Sequence, residues 1–231
     1  MLYAGLDYRL SENTLVGVLG QYDRASETNN QENYDIDGDG WLVGPYLVSR
    51  LTDNLIFDGR VAWGQSNNDI SPFQTYTDEF TTNRWLLKGQ FTGDFKLDNW
   101  DISPSVSVIY FEDEQQSYTD SLNILIPEQT VSLGRVVFGP RLSRTYVHDK
   151  RISITPNFNF RGIWDFEEAQ IVNLDTGSFL NSDGLRGRFE SGLLFSFPSG
   201  TRLGFDGFYD GIGAANFESY GLKLNVNFEL Q

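Results

Sequence analysis

Ile152-Ser-Ile-Thr-Pro-Asn-Phe-Asn-Phe-Arg-Gly-Ile-Trp-Asp-Phe166 is the stretch whose reading decides the fold. Ile152, Ile154, Phe158, Phe160, Trp164 and Phe166 fall on one parity, and Ser153, Thr155, Asn157, Asn159, Arg161 and Asp165 on the other. A period of two is the mark of a β-strand with one apolar and one polar face. The same alternation recurs along the chain. Trp85, Leu87, Phe91, Phe95 and Leu97 oppose Arg84, Lys88, Gln90, Thr92, Asp94 and Lys96. Trp100, Ile102, Val106, Val108 and Tyr110 oppose Asp101, Ser103, Ser105 and Ser107. Tyr220, Leu222, Leu224, Val226, Phe228 and Leu230 oppose Gly221, Lys223, Asn225, Asn227 and Glu229. The weakest segment is 14–25, where Leu15, Val16, Val18 and Leu19 break the pattern.

Read this way, the chain gives about eleven strands, over 2–10, 14–25, 40–51, 55–67, 82–97, 100–112, 130–147, 151–166, 184–197, 201–211 and 219–230. A soluble sandwich also alternates, with the apolar face inward. Three features favour a transmembrane, antiparallel up-and-down β-barrel, apolar outside and polar inside. Charges sit at mid-strand on the polar parity. Many strands exceed the usual five or six residues of soluble sheets. Short links at 11–13, 52–54, 98–99, 148–150 and 198–200 alternate with long ones at 26–39, 68–81, 113–129 and 167–183, as periplasmic turns alternate with outer loops.

That topology puts the C-terminus in the periplasm and makes 2–10 run inward. Bacterial single-chain barrels have even strand numbers, so a barrel of about twelve strands is expected, its first strand upstream of Met1. Met1 leads straight into alternating sequence with no export signal, so residues 1–231 are expected to be one barrel domain, the C-terminal part of a longer chain. Trp41, Trp63, Trp85 and Trp164 fall near the outer ends of their strands and Trp100 near an inner end, the placement of an interfacial aromatic girdle. Pro45, Pro104, Pro140 and Pro156 sit inside strands although proline removes a ladder donor; bulges or sections above the hydrocarbon band are expected there.

The net charge of −15 and the lack of a basic cluster argue against nucleic acid as a partner. The mean hydropathy of −0.35 and the lack of any apolar run near about 20 residues exclude a spanning helix and leave a spanning barrel untouched. Cysteine is absent.

The residues expected to line the lumen are Arg60, Arg84, Lys88, Asp94, Arg135, Arg141, Arg161, Arg188, Glu190, Asp206 and Lys223, joined by Arg186, Arg202, Asp58, Asp101, Asp165 and Glu229. They can line a channel, hold a plug or satisfy one another, and an ion-pair network that stiffens the wall is the simplest expectation. Asp35-Ile-Asp37-Gly-Asp39-Gly40 matches the first half of a calcium loop, but Tyr46 stands where a bidentate Glu belongs, so an acidic solvated loop is expected. The lone His148 lies in a tight turn, away from any nucleophile. The pairs Asp113/Glu114 and Glu167/Glu168 open loops. No serine-nucleophile or metal-ligand motif occurs, so no catalytic residue, cofactor or metal is assigned.

Ala4-Gly-Leu-Asp-Tyr-Arg-Leu10, then Leu15-Val-Gly-Val-Leu-Gly-Gln-Tyr22, Gly40-Trp-Leu-Val-Gly-Pro-Tyr46 and Leu55-Ile-Phe-Asp-Gly59, resemble the translocator β-domain of autotransporters, the type V secretion proteins. The resemblance covers nearly all of the chain. It implies an outer-membrane anchor whose lumen conveys an upstream passenger polypeptide to the cell surface. It also implies outer-membrane lipids and the barrel assembly machinery as partners, and a pore-spanning helix ahead of the first strand. Family barrels usually end on an aromatic residue, whereas this chain ends Phe228-Glu-Leu-Gln231. A stand-alone porin, an outer-membrane enzyme and a soluble barrel are the rival readings.

Overall fold

The computed structural model describes residues 1–29, 34–72, 74–148, 152–168, 171–172, 179–180, 184–215 and 217–228. Eleven long strands follow one another: β1 (Leu2–Arg9), β2 (Thr14–Asn29), β3 (Tyr34–Thr52), β4 (Leu55–Pro72), β5 (Asp78–Gly93), β6 (Trp100–Gln115), β7 (Gln129–Ser143), β8 (Ile152–Glu168), β9 (Leu185–Ser196), β10 (Arg202–Ile212) and β11 (Ser219–Asn227). Each pairs antiparallel with its neighbours in chain order, and no helix occurs among the described residues. This is the wall of an up-and-down β-barrel. The three-residue strands Phe95–Leu97 and Tyr146–His148 extend the ladders beside β6 and β8. The expected residues Glu229 and Leu230 lie outside the described set.

The inner face is the polar one. Ala62 is fully buried and Ser66 nearly so, and Asp165 and Asp210 are 8% and 5% exposed. On the other parity Trp41, Trp63, Trp85, Phe160 and Trp164 are between 42% and 51% exposed. A water-soluble sandwich hides its aromatics; this sheet hides its carboxylates and presents its rings. The inner face also carries buried apolar residues, Leu42, Ala62 and Ile163.

The irregular segment β2 now has a reason. Register with β1 pairs Leu15 with Arg9 and Leu19 with Gly5, so both leucines face inward while Val16 and Val18 face outward. A β-carbon on Gly5 would come 3.1 Å from Leu19 Cδ1, so the glycine makes room for an inward leucine.

The strands run further outward than the sequence pattern suggests. A span needs about 9–11 residues, whereas β3 has 19. The expected long links at 26–39 and 68–81 are largely ladder: Asn29 pairs with Tyr34, Tyr34 with Pro72, and Ile70 with Asp78. The strict alternation of loop lengths therefore weakens at these two connections. Alternating carboxylates and amides carry no apolar period, so nothing in that sequence announces a strand.

Each internal proline lies at a gap in one of its two ladders. Pairing of β3 with β4 skips from Val43–Trp63 to Tyr46–Arg60, around Pro45. Pairing of β7 with β8 skips from Phe138–Gly162 to Arg141–Asn159, around Pro140. Pro104 falls between the Thr92–Ser105 and Phe95–Ile102 pairs, and Pro156 between Ser143–Asn157 and Tyr146–Ile154. Register resumes unchanged after each gap, so these are interruptions and not the expected bulges. A missing donor is harmless where no ladder bond is made.

Aromatic rings also fill the space left by facing glycines. A β-carbon on Gly162 would lie 2.5 Å from Phe138 Cζ, and one on Gly221 2.7 Å from Phe208 Cε1. Gly162→Ala is expected to push the Phe138 ring off the wall and destabilise the barrel by about 1–3 kcal/mol, the usual cost of overpacking. Urea unfolding in vesicles checks this. Adding Phe138→Ala should recover part of the loss, and a loss that stays the same would show that the ring is not the cause.

Candidate functional site: the charged inner face

The ion pairs form two groups on the inner face. On the β2–β6 side, Arg84 Nε meets Asp113 Oδ2 at 2.9 Å and its Nη1 meets Asp23 Oδ1 at 3.2 Å. Gly40 leaves room for that guanidinium, because a β-carbon there would collide with it. One level outward, Ser66 Oγ and Thr82 Oγ1 share a hydrogen bond of 2.9 Å, and Asn68 Nδ2 donates to Ser66 Oγ at 2.8 Å.

The second group crosses four strands. Asp165 on β8 accepts from Arg135 on β7 through both guanidinium arms and from Arg186 Nη1 on β9 at 2.7 Å. Arg186 Nε continues to Asp210 Oδ1 on β10 at 3.1 Å, and Arg188 Nη1 reaches Asp210 Oδ2 at 3.5 Å. Glu190 then accepts from Arg188 Nε at 2.7 Å and Asn159 Nδ2 at 2.9 Å, with Arg161 Nη2 at 3.3 Å. Arg188 also stands 4.1 Å over the Phe208 ring. Arginine forks suit this arrangement, since one guanidinium can serve two carboxylates on different strands.

Arg84, Arg135, Arg161, Arg188 and Glu190 each take part in these ion pairs. Elsewhere the network is thinner. Lys88 Nζ lies 3.5 Å from Asp58 Oδ1. Arg60 pairs in register with Lys88, and its buried Nε and Nη2 have no hydrogen-bond partner among the described residues. Asp206 accepts from Asn225 Nδ2 at 3.2 Å. Arg141 and Lys223 form no ion pair among the described residues, although they share a recess of about 350 Å³ with Asp206 and Glu190. Asp94 falls in the break between β5 and Phe95–Leu97, where its backbone N–H donates to Asn54 O at 2.9 Å.

The other expected sites change character. Asp35, Asp37 and Asp39 lie on β3, not in a loop, opposite Ser71, Asp69 and Asn67. Asp35 and Asp39 stand about 13 Å apart along one strand, so the three carboxylates do not wrap one cation as a calcium loop does. No metal-holding group of acidic or histidine residues occurs among the described residues. Asp113 is drawn inward to Arg84 and so is parted from Glu114 in role, while Glu167 accepts from Ser132 Oγ at 3.3 Å. His148 sits on the short strand Tyr146–His148, at the short-turn end.

Two of the tryptophans stand in register. Trp63 pairs with Trp85, their ring centroids 6.5 Å apart, and Val136 pairs with Trp164. Directly outward of them the exposed parity turns acidic, at Asp37, Asp39, Asp69 and Glu79. Leu97 pairs with Trp100 at the opposite end.

An apolar exposed belt edged by tryptophan and acid, around a charged inner face, is the build of an outer-membrane barrel. A sequence model of the Autotransporter beta-domain matches residues 1–210. The chain belongs to the autotransporter β-domain family. Its structure is similar to the β domain of the Bordetella autotransporter BrkA, with a TM-score of 0.64 at 16% identity, covering 99% of this chain and 89% of that one. It is also similar to the transport unit of AIDA-I from Escherichia coli, with a TM-score of 0.67 at 12% identity and coverage of 99% and 81%. The translocator domain of NalP from Neisseria meningitidis gives 0.61 at 14%, over 98% and 79%. A search of the curated proteins finds no match. This autotransporter β-domain is therefore an outer-membrane translocator and anchor.

Sequence reasoning missed Asp23, Asp113 and Asp210 as inner-face partners. Asp113 and Asp210 share parity with Asp101 and Asp206: Asp210 lies within the expected strand 201–211 and Asp113 one residue beyond the end of 100–112, so both were findable by parity. Asp23 was hidden by the inward leucines that blur β2.

Proposed function

We propose that the charged inner face is a hydrated path along which an upstream passenger polypeptide reaches the cell surface, while the aromatic belt holds this autotransporter β-domain among outer-membrane lipids. The observation that carries the reading is the burial of Asp165 and Asp210, paired with arginines of neighbouring strands, on the face of the sheet opposite its exposed rings. Paired charges offer a passing chain hydrogen bonds without holding it by one strong field. The barrel assembly machinery is the insertion partner in this reading. Residues 1–231 act as one anchoring domain, nucleic acid is not a partner, and no step of chemistry is assigned to any side chain.

A protease-sensitive epitope placed before Met1 in the native protein tests it. Protease added to intact cells is expected to remove the epitope while the barrel stays folded and heat-modifiable in gels. An epitope that survives on cells with a folded barrel overturns the translocation reading.

A further inference from the structure

The connection between β6 and β7 is folded, and it folds inward. Tyr118–Thr119 pairs with Leu125–Ile126 to make a small hairpin. Asp120 shapes its tip: Oδ1 accepts from Leu122 N at 2.9 Å and Ile124 N at 2.7 Å, and Asn123 takes a left-handed backbone with φ of 60°. The hairpin rests on β5. Asp78 Oδ1 accepts from Ser121 N at 2.8 Å and Ser121 Oγ at 2.5 Å, and the Phe80 ring stacks on Tyr118 with centroids 5.7 Å apart. Gln116 N donates to Thr81 O at 3.3 Å, tying down the hairpin's root.

The parity of these contacts sets the direction. Asp78 and Phe80 lie on the face of β5 that carries Thr82, Arg84 and Lys88, and the β4–β5 ladder runs from Ile70–Asp78 to Leu55–Gly93 without a register shift. Both contact residues therefore face the barrel axis, beyond the outer end of β6, whose last pair with β5 is Thr82–Gln115. A hairpin seated on them leans over the opening. Asp78 and Asp120 are buried at 7% and 9% exposure. Burial first, then the Asp78 and Asp120 carboxylates, pushes the Tyr118 phenol up from its ordinary range, as expected of a seated side chain.

We infer that the hairpin Tyr118–Ile126 is a strap across the outer mouth of the barrel, latched to β5 by Asp78 and Phe80 and released when a chain leaves. The inference rests on the hydrated-path reading. Two hydrogen bonds to one carboxylate and one stacked pair are few ties, as suits a part that must open, because elements that move are drawn from the least-held parts of a fold.

The chain has no cysteine of its own. An Asp78→Cys/Ser121→Cys pair, oxidised with copper–phenanthroline, is expected to form a disulfide, given side chains already in contact. In planar bilayers the oxidised pair should keep the wild-type conductance. An Asp78→Ala/Phe80→Ala variant should show a roughly twofold higher conductance, since a wider mouth passes more ions. Failure of the disulfide to form in folded protein overturns the latch, and equal conductance for the latch-free variant overturns the strap. Folded protein that never conducts overturns the hydrated path itself, and the strap as a gate falls with it.

Discussion

Asp165→Ala is expected to cost the barrel roughly 3–5 kcal/mol, the range for breaking a buried ion pair from one side. The carboxylate side chain is only 2% exposed and accepts from arginines on the strands either side of it. Without it, Arg135 loses a two-point contact and Arg186 keeps only Asp210 of its two acids. The cost therefore comes from desolvated guanidinium groups more than from the bonds themselves. A lower urea midpoint with an unchanged slope in vesicle unfolding is the expected signature. Glu190→Gln provides the contrast. Glu190 is 23% exposed, and a glutamine oxygen still accepts one donor, so a loss near about 1 kcal/mol is expected. If the cluster acts as a unit, the triple change Arg135→Met/Asp165→Leu/Arg186→Met should recover most of what Asp165→Ala loses. Buried charge clusters are often no more stable than apolar replacements of similar volume. A triple variant as weak as Asp165→Ala would place the loss in packing.

How much of this was legible in the sequence follows from what writes a period of two. In β8 six apolar side chains on one parity announce the strand, its lipid face and the inward Asp165 at once. The outer half of β3 is as regular in space, but Asp35, Asp37 and Asp39 oppose Ile36, Gly38 and Gly40, and polar residues facing water leave no apolar rhythm to read. The strand ends were therefore misplaced while their order was right. The ion pairs were legible as a face and not as partners. Arg84 was assigned inward by parity alone, yet its choice of Asp23 and Asp113 depends on cross-strand register, which the sequence does not carry. The prolines read as a contradiction for the same reason. Only register shows that Pro104 and Pro140 face each other, beside the break at Gly93–Asp94 and the skip in the β7–β8 ladder. The strap was beyond reach, because Ser121 and Asp78 are distant in sequence and neither carries a distinctive motif.

Moving one arginine by a single residue tests the orientation of the whole wall. Val106 is 42% exposed, and on β6 it lies midway between Trp100 and Glu112, which pairs with Trp85. It therefore sits near the centre of the apolar belt. Val106→Arg is expected to cost about 2–4 kcal/mol, the penalty for an arginine facing lipid at the midplane. Its neighbour Ser107 faces inward, with its hydroxyl directed at Val137 O. Ser107→Arg adds the same charge and nearly the same bulk one step along the strand, on the polar face, where Gln90 is a register partner and Asp58 lies on the strand beyond it. Its cost should stay under about 1 kcal/mol, as for solvent-exposed charges. The pair isolates direction, because secondary structure, depth and residue type are shared. Unfolding in vesicles gives the energies, and heat-modifiable mobility after expression in cells gives assembly. Val106→Arg should assemble poorly and Ser107→Arg normally. Equal losses would mean that depth alone matters. A heavier loss for Ser107→Arg would turn the barrel inside out, and with it the placement of every ion pair on the inner face.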